Sequence, residues 1–407
     1  MGSLFGVAAD VVACEREGIM KNVDVTLSVW NKFHSFELIS GLVKAGYQAR
    51  SLDTVRRRSK AQEYKFCLSS AFMMQAAYQM PKSAVGQRMR RMLAQGSLLA
   101  FENYAARYAT DARCFWCWNN HNLKGMQRAK AAGIPVILET GSTHARWADR
   151  RLHEEHEYRS LKYSGHSVSY FTRCDREYGL ADIISVPSRF VANTFIEEGI
   201  STEKLNINPY GVDVEFWGAK GRSCASRPIT FVYTAALTLR KGIPYLMDAW
   251  RKADLKDARL YLIGGQDAEI LPYLKNLPDN VTPFGFMPHT KVREIYRECD
   301  AYLLPSLEEG QARSVLEAMA AGLMPIITEE TGATDIMVPG EDGLLVQSRN
   351  VDSLVEAFRF AAANRERVRA MGESAKKRVQ PYTWDAYGKR CAQLLEKMIG
   401  PPAGKRS

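Results

Sequence analysis

Two carboxylates and two cations stand in this sequence at places where a chain can bind an anion. Glu309 and Glu317 are separated by seven residues in Pro305-Ser306-Leu307-Glu308-Glu309-Gly310-Gln311-Ala312-Arg313-Ser314-Val315-Leu316-Glu317-Ala318-Met319-Ala320-Ala321-Gly322. An ionised carboxylate only accepts hydrogen bonds, so this pair suits a ligand rich in hydroxyl donors. The stretch follows an apolar run, Ala301–Leu304, and opens a predicted helix whose first turn offers unpaired N–H groups and a positive dipole end. Arg240-Lys241-Gly242 likewise lies between a predicted strand and a predicted helix, the right place for diphosphate contacts. Phosphate attraction beside hydroxyl recognition is what a nucleotide sugar requires. His144 ends Leu138-Glu139-Thr140-Gly141-Ser142-Thr143-His144, just past a predicted strand's carboxyl end. Wound sheets bind ligands there, and an imidazole can bond a hydroxyl or a phosphate oxygen. Lys32 and His34 sit in the loop after the first strand, and Asn120 follows another strand. Glu308 is read as a solvent-facing neighbour of Glu309.

These residues need a scaffold of alternating strands and helices. Val23–Trp30 reads as a buried strand, Phe36–Ala45 as a helix ended by Gly46, and strands recur near Arg113–Trp118, Gly133–Glu139 and Ala181–Ser188. Between Ala45 and Arg113 only one element is legible, a helix from about Pro81. Near Pro209-Tyr210-Gly211-Val212-Asp213 the pattern restarts, with strands at Ile229–Thr234, Ala258–Gly264, Val281–Gly285, Ala301–Leu304 and Met324–Thr328. Helices are predicted at Ile243–Ala253, Thr290–Glu298, Asp352–Asn364 and Trp384–Met398. The alternation argues for parallel, doubly wound sheets. At 407 residues the chain exceeds one core. We assign residues 1–22 to an extension, 23–208 and 209–383 to two Rossmann-like α/β domains facing across a cleft, and 384–407 to a final helix and tail.

The phrase Pro-Ser-x-x-Glu-Gly-x6-Glu-Ala-Met-Ala-x-Gly resembles the donor-site signature of retaining glycosyltransferases with two Rossmann-like domains, the GT-B enzymes of the family 4 type (glycosyl transferases group 1). Ala181–Ser188, Pro209–Asp213 and Arg240-Lys241-Gly242 resemble the same family's end-of-domain strand, interdomain entry and phosphate loop. The resemblance implies a final helix that crosses back to the first domain. It implies transfer of a sugar from a nucleoside diphosphate sugar to a glycan or lipid-linked acceptor, with retention of configuration. Glu317 would then bind the ribose hydroxyls and Glu309 the transferred sugar. The amides of Gly310, Gln311, Ala312 and Arg313 would face the donor's hydroxyls or phosphate, with Arg240 and Lys241 on the diphosphate and His144 against the sugar or phosphate. Lys32, His34 and Asn120 would line the acceptor side. No Asp-x-Asp motif ends a strand, so no metal and no cofactor are expected. Two departures stand out: Ala235-Ala236-Leu237 replaces the usual Gly-Arg-Leu, and Gln311-Ala312 replaces Phe-Gly. They leave open an alternative, a degenerate sugar-nucleotide-binding scaffold without turnover.

Charge adds a partner. Of the formal net charge of +10, the segment 50–91 contributes 10 basic against 2 acidic residues. Within it Val85, Met89 and Met92, continued by Leu93 and Leu99, recur at helical spacing beside Arg88, Arg90 and Arg91. This pattern fits peripheral contact with an anionic membrane, and equally a helix packed on its own domain with a solvated basic face. Nucleic acid is not expected, because no recognition motif accompanies the charge. No run of 18 apolar residues exists to span a bilayer. Cys114 and Cys117 form a lone Cys-x-x-Cys pair that an extended strand would turn to opposite faces, so a reduced, cytoplasmic chain is expected. A nicotinamide-binding Gly-x-Gly-x-x-Gly is absent.

Overall fold

All six residues of β1 (Val23–Ser28) are buried. Burial on both faces marks a central strand of a parallel sheet, which explains an apolar run where alternation would otherwise be seen. The structure, a computed structural model, describes residues 23–30, 34–54, 63–81, 83–218 and 227–403. Six more strands join the first: β2 (Ala49–Asp53), β3 (Glu63–Phe66), β4 (Ala112–Trp118), β5 (Val136–Glu139), β6 (Ile183–Val186) and β7 (Leu205–Ile207). They pair in parallel in the order β3-β2-β1-β4-β5-β6-β7. The helices between them are α1 (Ser35–Lys44), α2 (Leu68–Gln79), α3 (Ala84–Arg107), α4 (Leu123–Ala131), α5 (Ala145–Tyr158), α6 (Val168–Leu180) and α7 (Arg189–Glu197). Cys114 and Cys117 fall into different core clusters on the two sides of β4, as the strand's alternation requires.

The second sheet repeats the design. Its strands β8 (Ile229–Thr234), β9 (Ala258–Ile263), β10 (Val281–Gly285), β11 (Ala301–Leu304), β12 (Met324–Ile327) and β13 (Leu344–Leu345) run in the order β10-β9-β8-β11-β12-β13. Around it lie α8 (Val214–Trp217), α9 (Ile243–Ala253), α10 (His289–Tyr296), α11 (Arg313–Ala320), α12 (Val351–Ala363) and α13 (Arg365–Val379). Phe231, Trp250 and Phe358 pack edge to face, with ring centroids 5.4–5.6 Å apart, and fix β8 against α9 and α12. In each sheet the strand order reverses beside the first strand, between β1 and β4 and between β8 and β11. Ligands of wound sheets bind outside the carboxyl ends of the strands at that reversal.

Among the described residues, three strips join the halves away from the strand-end loops. The linker and the return chain run side by side at Val212 and Thr383, where the Val212 N–H donates to Tyr382 O at 2.9 Å. The last helix, α14 (Trp384–Ile399), then crosses onto the first domain. Its Tyr387, Cys391, Leu394 and Leu395 complete the cluster that holds Val25, Leu38 and Leu42. The crossing needs Gly41 and Gly388, since a Cβ on Gly41 would lie 2.3 Å from the Gly388 Cα. The third strip is α5, which lays a polar face on the second domain. Arg151 pairs with Glu330 at 2.9 Å, and Arg349 pairs with Glu154 and Glu155, each at 3.1 Å. Glu155 is fully buried and also accepts from the Tyr245 hydroxyl at 2.9 Å.

Between Ala45 and Arg113 the structure has two strands and a helix, β2, β3 and α2, that the sequence did not disclose. Their pattern was masked because β2 buries a charge. Arg50 is wholly inaccessible, with its Nε 2.6 Å from Glu63 on β3. The helix expected from Pro81 is α3, capped by the Ser83 hydroxyl, which accepts from the Gly86 N–H at 3.2 Å. Among the described residues no helix is long and apolar enough to cross a membrane.

Candidate active site

The loop after β8 carries Arg240 and Lys241, and the loop after β11 carries Glu308 and Glu309. Adjacent strands at the reversal bring the two loops together, and the Leu307 N–H donates to Arg240 O at 2.8 Å. Arg240 Nη1 lies 3.0 Å from Glu308 Oε2, 3.0 Å from the Glu308 carbonyl and 3.5 Å from Glu309 Oε2. The Lys241 ammonium donates to Glu309 Oε1. Burial, reinforced by the neighbouring Arg240 charge, pushes the Lys241 ammonium down to about 7, with Glu308 pulling the other way. Lys241, Glu308 and Glu309 thus share a buried corner, where charges act more strongly than in bulk solvent, and Arg240 closes it from a partly exposed position.

Glu308 is not the solvent-facing neighbour expected from the sequence. It is 4% exposed, and its Oε1 accepts from the Thr143 hydroxyl at 2.6 Å and from the Thr143 N–H at 3.4 Å. Thr143 belongs to the loop after β5, in the other domain, so Glu308 spans the cleft. Gly310 follows directly and backs onto Gly141 of the same opposing loop. A Cβ there would lie 1.8 Å from the Gly141 carbonyl oxygen, so glycine is required by close approach. The Gly310 carbonyl accepts from the Ser188 hydroxyl at 2.8 Å, a further bond across the cleft.

The departure at Gln311 has a structural use. Its Oε1 accepts from the Tyr210 N–H of the linker at 2.6 Å, while its Nε2 is buried with no hydrogen-bond partner among the described residues. Ala312 does not offer its amide to a ligand as expected; that N–H donates to Thr331 O at 2.8 Å. Arg313 opens α11 and is exposed. Glu317 lies on the same helix and lines a pocket of about 290 Å³ with Asp213, Trp217, His289, Arg313 and Trp384. Burial raises the Glu317 carboxyl above its usual range, against the pull of His289 and Arg313. Glu309 does not line that pocket.

Three of the expected residues of the first domain are held by partners within the fold. His144 caps α5: its Nδ1 accepts from the Arg146 N–H at 3.3 Å, and its ring packs between Tyr178 and Phe195. Burial lowers its affinity for a proton. His34 is also buried, with Nε2 3.0 Å from Glu139 Oε1. Glu139 in turn accepts from Trp116 Nε1 at 3.2 Å and from the Tyr387 hydroxyl at 3.3 Å, so His34 helps seat the crossing helix. Asn120 adopts a left-handed φ of 70° and turns its polar atoms to α6, donating to Tyr170 at 3.3 Å and accepting from Cys174 at 3.0 Å. Its N–H donates to the buried Glu177, whose carboxyl burial pushes up to about 7. Each of these positions is a strand-end loop, as the sequence indicated, and each side chain bonds a group within the fold; the His34 ring also lies 4.4 Å from that of Tyr210, whose N–H Gln311 holds. Lys32 lies outside the described residues. Among the described residues no group of three His, Cys, Asp or Glu side chains is placed to hold a metal ion.

The structure superposes on sucrose-phosphate synthase from Thermosynechococcus elongatus with a TM-score of 0.67 at 18% identity, covering 93% of this chain and 99% of the other. The chain has the GT-B fold of the glycosyltransferases. It also superposes on Anabaena HepE in complex with UDP-glucose, with a TM-score of 0.65 at 14% identity over 92% of this chain and all of the other. Residues 221–378 match the family Glycosyl transferases group 1. In sequence the chain is similar to the amylovoran biosynthesis glycosyltransferase AmsK of Erwinia amylovora, 26% identical over 179 residues, 41% of this chain and 44% of that protein. The chain spans about half the length of the curated relatives it matches.

Proposed function

We propose that this GT-B chain is a retaining, metal-independent glycosyltransferase that moves a sugar from a nucleoside diphosphate sugar to a glycan or lipid-linked acceptor. The setting would be assembly of a cell-surface polysaccharide or glycolipid. One observation carries the reading: Arg240 and Lys241 meet Glu308 and Glu309 at the β8/β11 reversal, inside the segment that matches the group 1 family. The UDP-glucose bound in the HepE structure supports a nucleotide-sugar donor. In this reading Arg240 and Lys241 offset the charge that grows on the leaving diphosphate, from fixed positions that cost no reorganisation at the moment of reaction. Glu309 accepts from hydroxyls of the transferred sugar, and Glu317 and Arg313 hold the nucleoside side. The acceptor hydroxyl attacks on the face from which the diphosphate leaves, and the departing phosphate oxygen takes its proton. No enzyme nucleophile is needed, unlike the paired carboxylates of retaining glycosidases. His144, His34 and Asn120 act through the fold, and Lys32 is assigned to the acceptor side on sequence alone.

The same reading places the protein in the cytoplasm on the inner face of a membrane. Phe72 and Tyr78 on α2 and Val85, Met89 and Met92 on α3 are all exposed, beside the exposed Arg88, Arg90 and Arg91. An apolar surface rimmed by cations suits an anionic bilayer, and it disfavours the alternative in which these residues pack on their own domain. Binding is tested with a thermal-shift panel of UDP-, GDP-, ADP- and dTDP-sugars, with and without divalent metal. A donor at 100 times its Kd stabilises by about 2.7 kcal/mol. Glu317→Ala is expected to lose that shift while keeping its fold. Sugar transfer by the parent chain separates an enzyme from a binding scaffold, and a parental shift in the variant would remove Glu317 from the site.

A further inference from the structure

Arg240 already has an anion. Glu308 sits on it at 3.0 Å and is anchored at its other oxygen by Thr143 across the cleft. Lys241 is likewise occupied by Glu309. The corner therefore already sets Arg240 and Lys241 against Glu308 and Glu309 before any ligand enters. A diphosphate added to that set would face two carboxylates at short range, in a place where burial leaves little solvent to screen them. Glu309 has a further use, as an acceptor for sugar hydroxyls. Glu308 has none in the donor reading, and its hold on Thr143 exists only while the two loops touch.

We infer that Glu308 is a stand-in for the donor's diphosphate: it holds Arg240 and ties the two domains together in the empty protein, and it must give up Arg240 when a nucleoside diphosphate arrives. Glu308 is thus a positioning residue that sets donor affinity, a role that rests on the assignment of Arg240 to the diphosphate. The competition fixes the sign of the effect. Glu308→Gln keeps an oxygen for Thr143 and removes the charge from Arg240. It is expected to bind free nucleoside diphosphate more tightly than the parent, by roughly 3- to 10-fold, the range for loss of one partly screened competing charge. Glu308→Asp keeps the charge but is one methylene too short to span from Thr143 to Arg240, and it should also tighten binding.

The experiment is calorimetric titration of the full chain and its variants with UDP, GDP, ADP and dTDP in turn, at low and at high salt. Arg240→Gln serves as the reference. If Arg240→Gln leaves nucleotide binding unchanged, the assignment of Arg240 to the diphosphate fails. If Arg240→Gln weakens binding while Glu308→Gln and Glu308→Asp bind no tighter than the parent, Glu308 supports Arg240 and the competition is refuted. A merely structural role for Glu308 would weaken binding in both variants together with a lower Tm. Competition predicts tighter binding even where the Tm falls.

Discussion

Replacing Gly310 with alanine tests whether the cleft closes in solution as the structure has it. Gly310 is not in the left-handed region, so the new methyl group meets no backbone strain of its own. It meets the opposing domain: 1.8 Å to Gly141 O and 2.6 Å to Gly141 C, both backbone atoms that no rotamer change can move. The two loops must part by about 1.6 Å to reach van der Waals contact, which also stretches the bonds from Glu308 to Thr143 and from Ser188 to Gly310. Overpacking of this size costs about 1–3 kcal/mol, a shift of roughly 5- to 150-fold between closed and open arrangements. Neither core is touched, so each domain keeps its own stability. Small-angle scattering would show a larger radius of gyration for Gly310→Ala, and transfer from the donor chosen by the panel would lose kcat/KM by a comparable factor. A variant with the parental scattering profile and parental kcat/KM would refute the close approach of these loops and the argument built on it.

Three further outcomes are expected. Glu63→Gln takes from the inaccessible Arg50 the carboxylate 2.6 Å from its Nε, while Asp111 stays at 3.5 Å; chemical denaturation should show a loss of about 3 kcal/mol. Donor binding should depend on pH through Lys241, because a diphosphate favours the ammonium. Affinity is full below about 7 and declines as the pH rises past it, while Lys241→Arg, charged throughout, gives a flat profile in titrations from pH 6 to 9. His144→Ala removes the cap of α5 and should cost about 1 kcal/mol in thermal unfolding with little change in kcat; loss of kcat without loss of stability would return His144 to the reaction.

What the sequence revealed follows from how each element hides its backbone. β8 and β11 bury apolar residues on both faces, and their boundaries are readable within a residue. β2 has the same burial with Arg50 at its centre, and a charge neutralised by a partner 13 residues away leaves no local sign. The polar helix α5 was missed for a related reason, since its buried face is ionic and is satisfied by Arg349 and Tyr245 of the other domain. In the site, the types and spacing of Glu309, Glu317, Arg240 and Lys241 pointed to hydroxyl and phosphate chemistry. Their pairing did not show, because which carboxylate meets which cation depends on two loops 68 residues apart. Glu308 and His144 illustrate the limit best. One looked like surface and spans the cleft, and the other looked like a ligand contact and holds a helix end.

The crossing of α14 bears on the order in which the chain is made. Tyr387, Cys391, Leu394 and Leu395 are core residues of the first domain, yet they leave the ribosome only after every strand of the second sheet. A growing chain folds its domains as units as they emerge. Here the amino-terminal domain stays unfinished, with Leu38 and Leu42 awaiting their partners, while the carboxyl-terminal sheet from β8 to β13 has all its strands already synthesised. Of the two domains, the one that comes first in the chain is completed only after the second sheet, so a nascent chain must keep an apolar groove on α1 covered or unaggregated through the synthesis of the whole second domain.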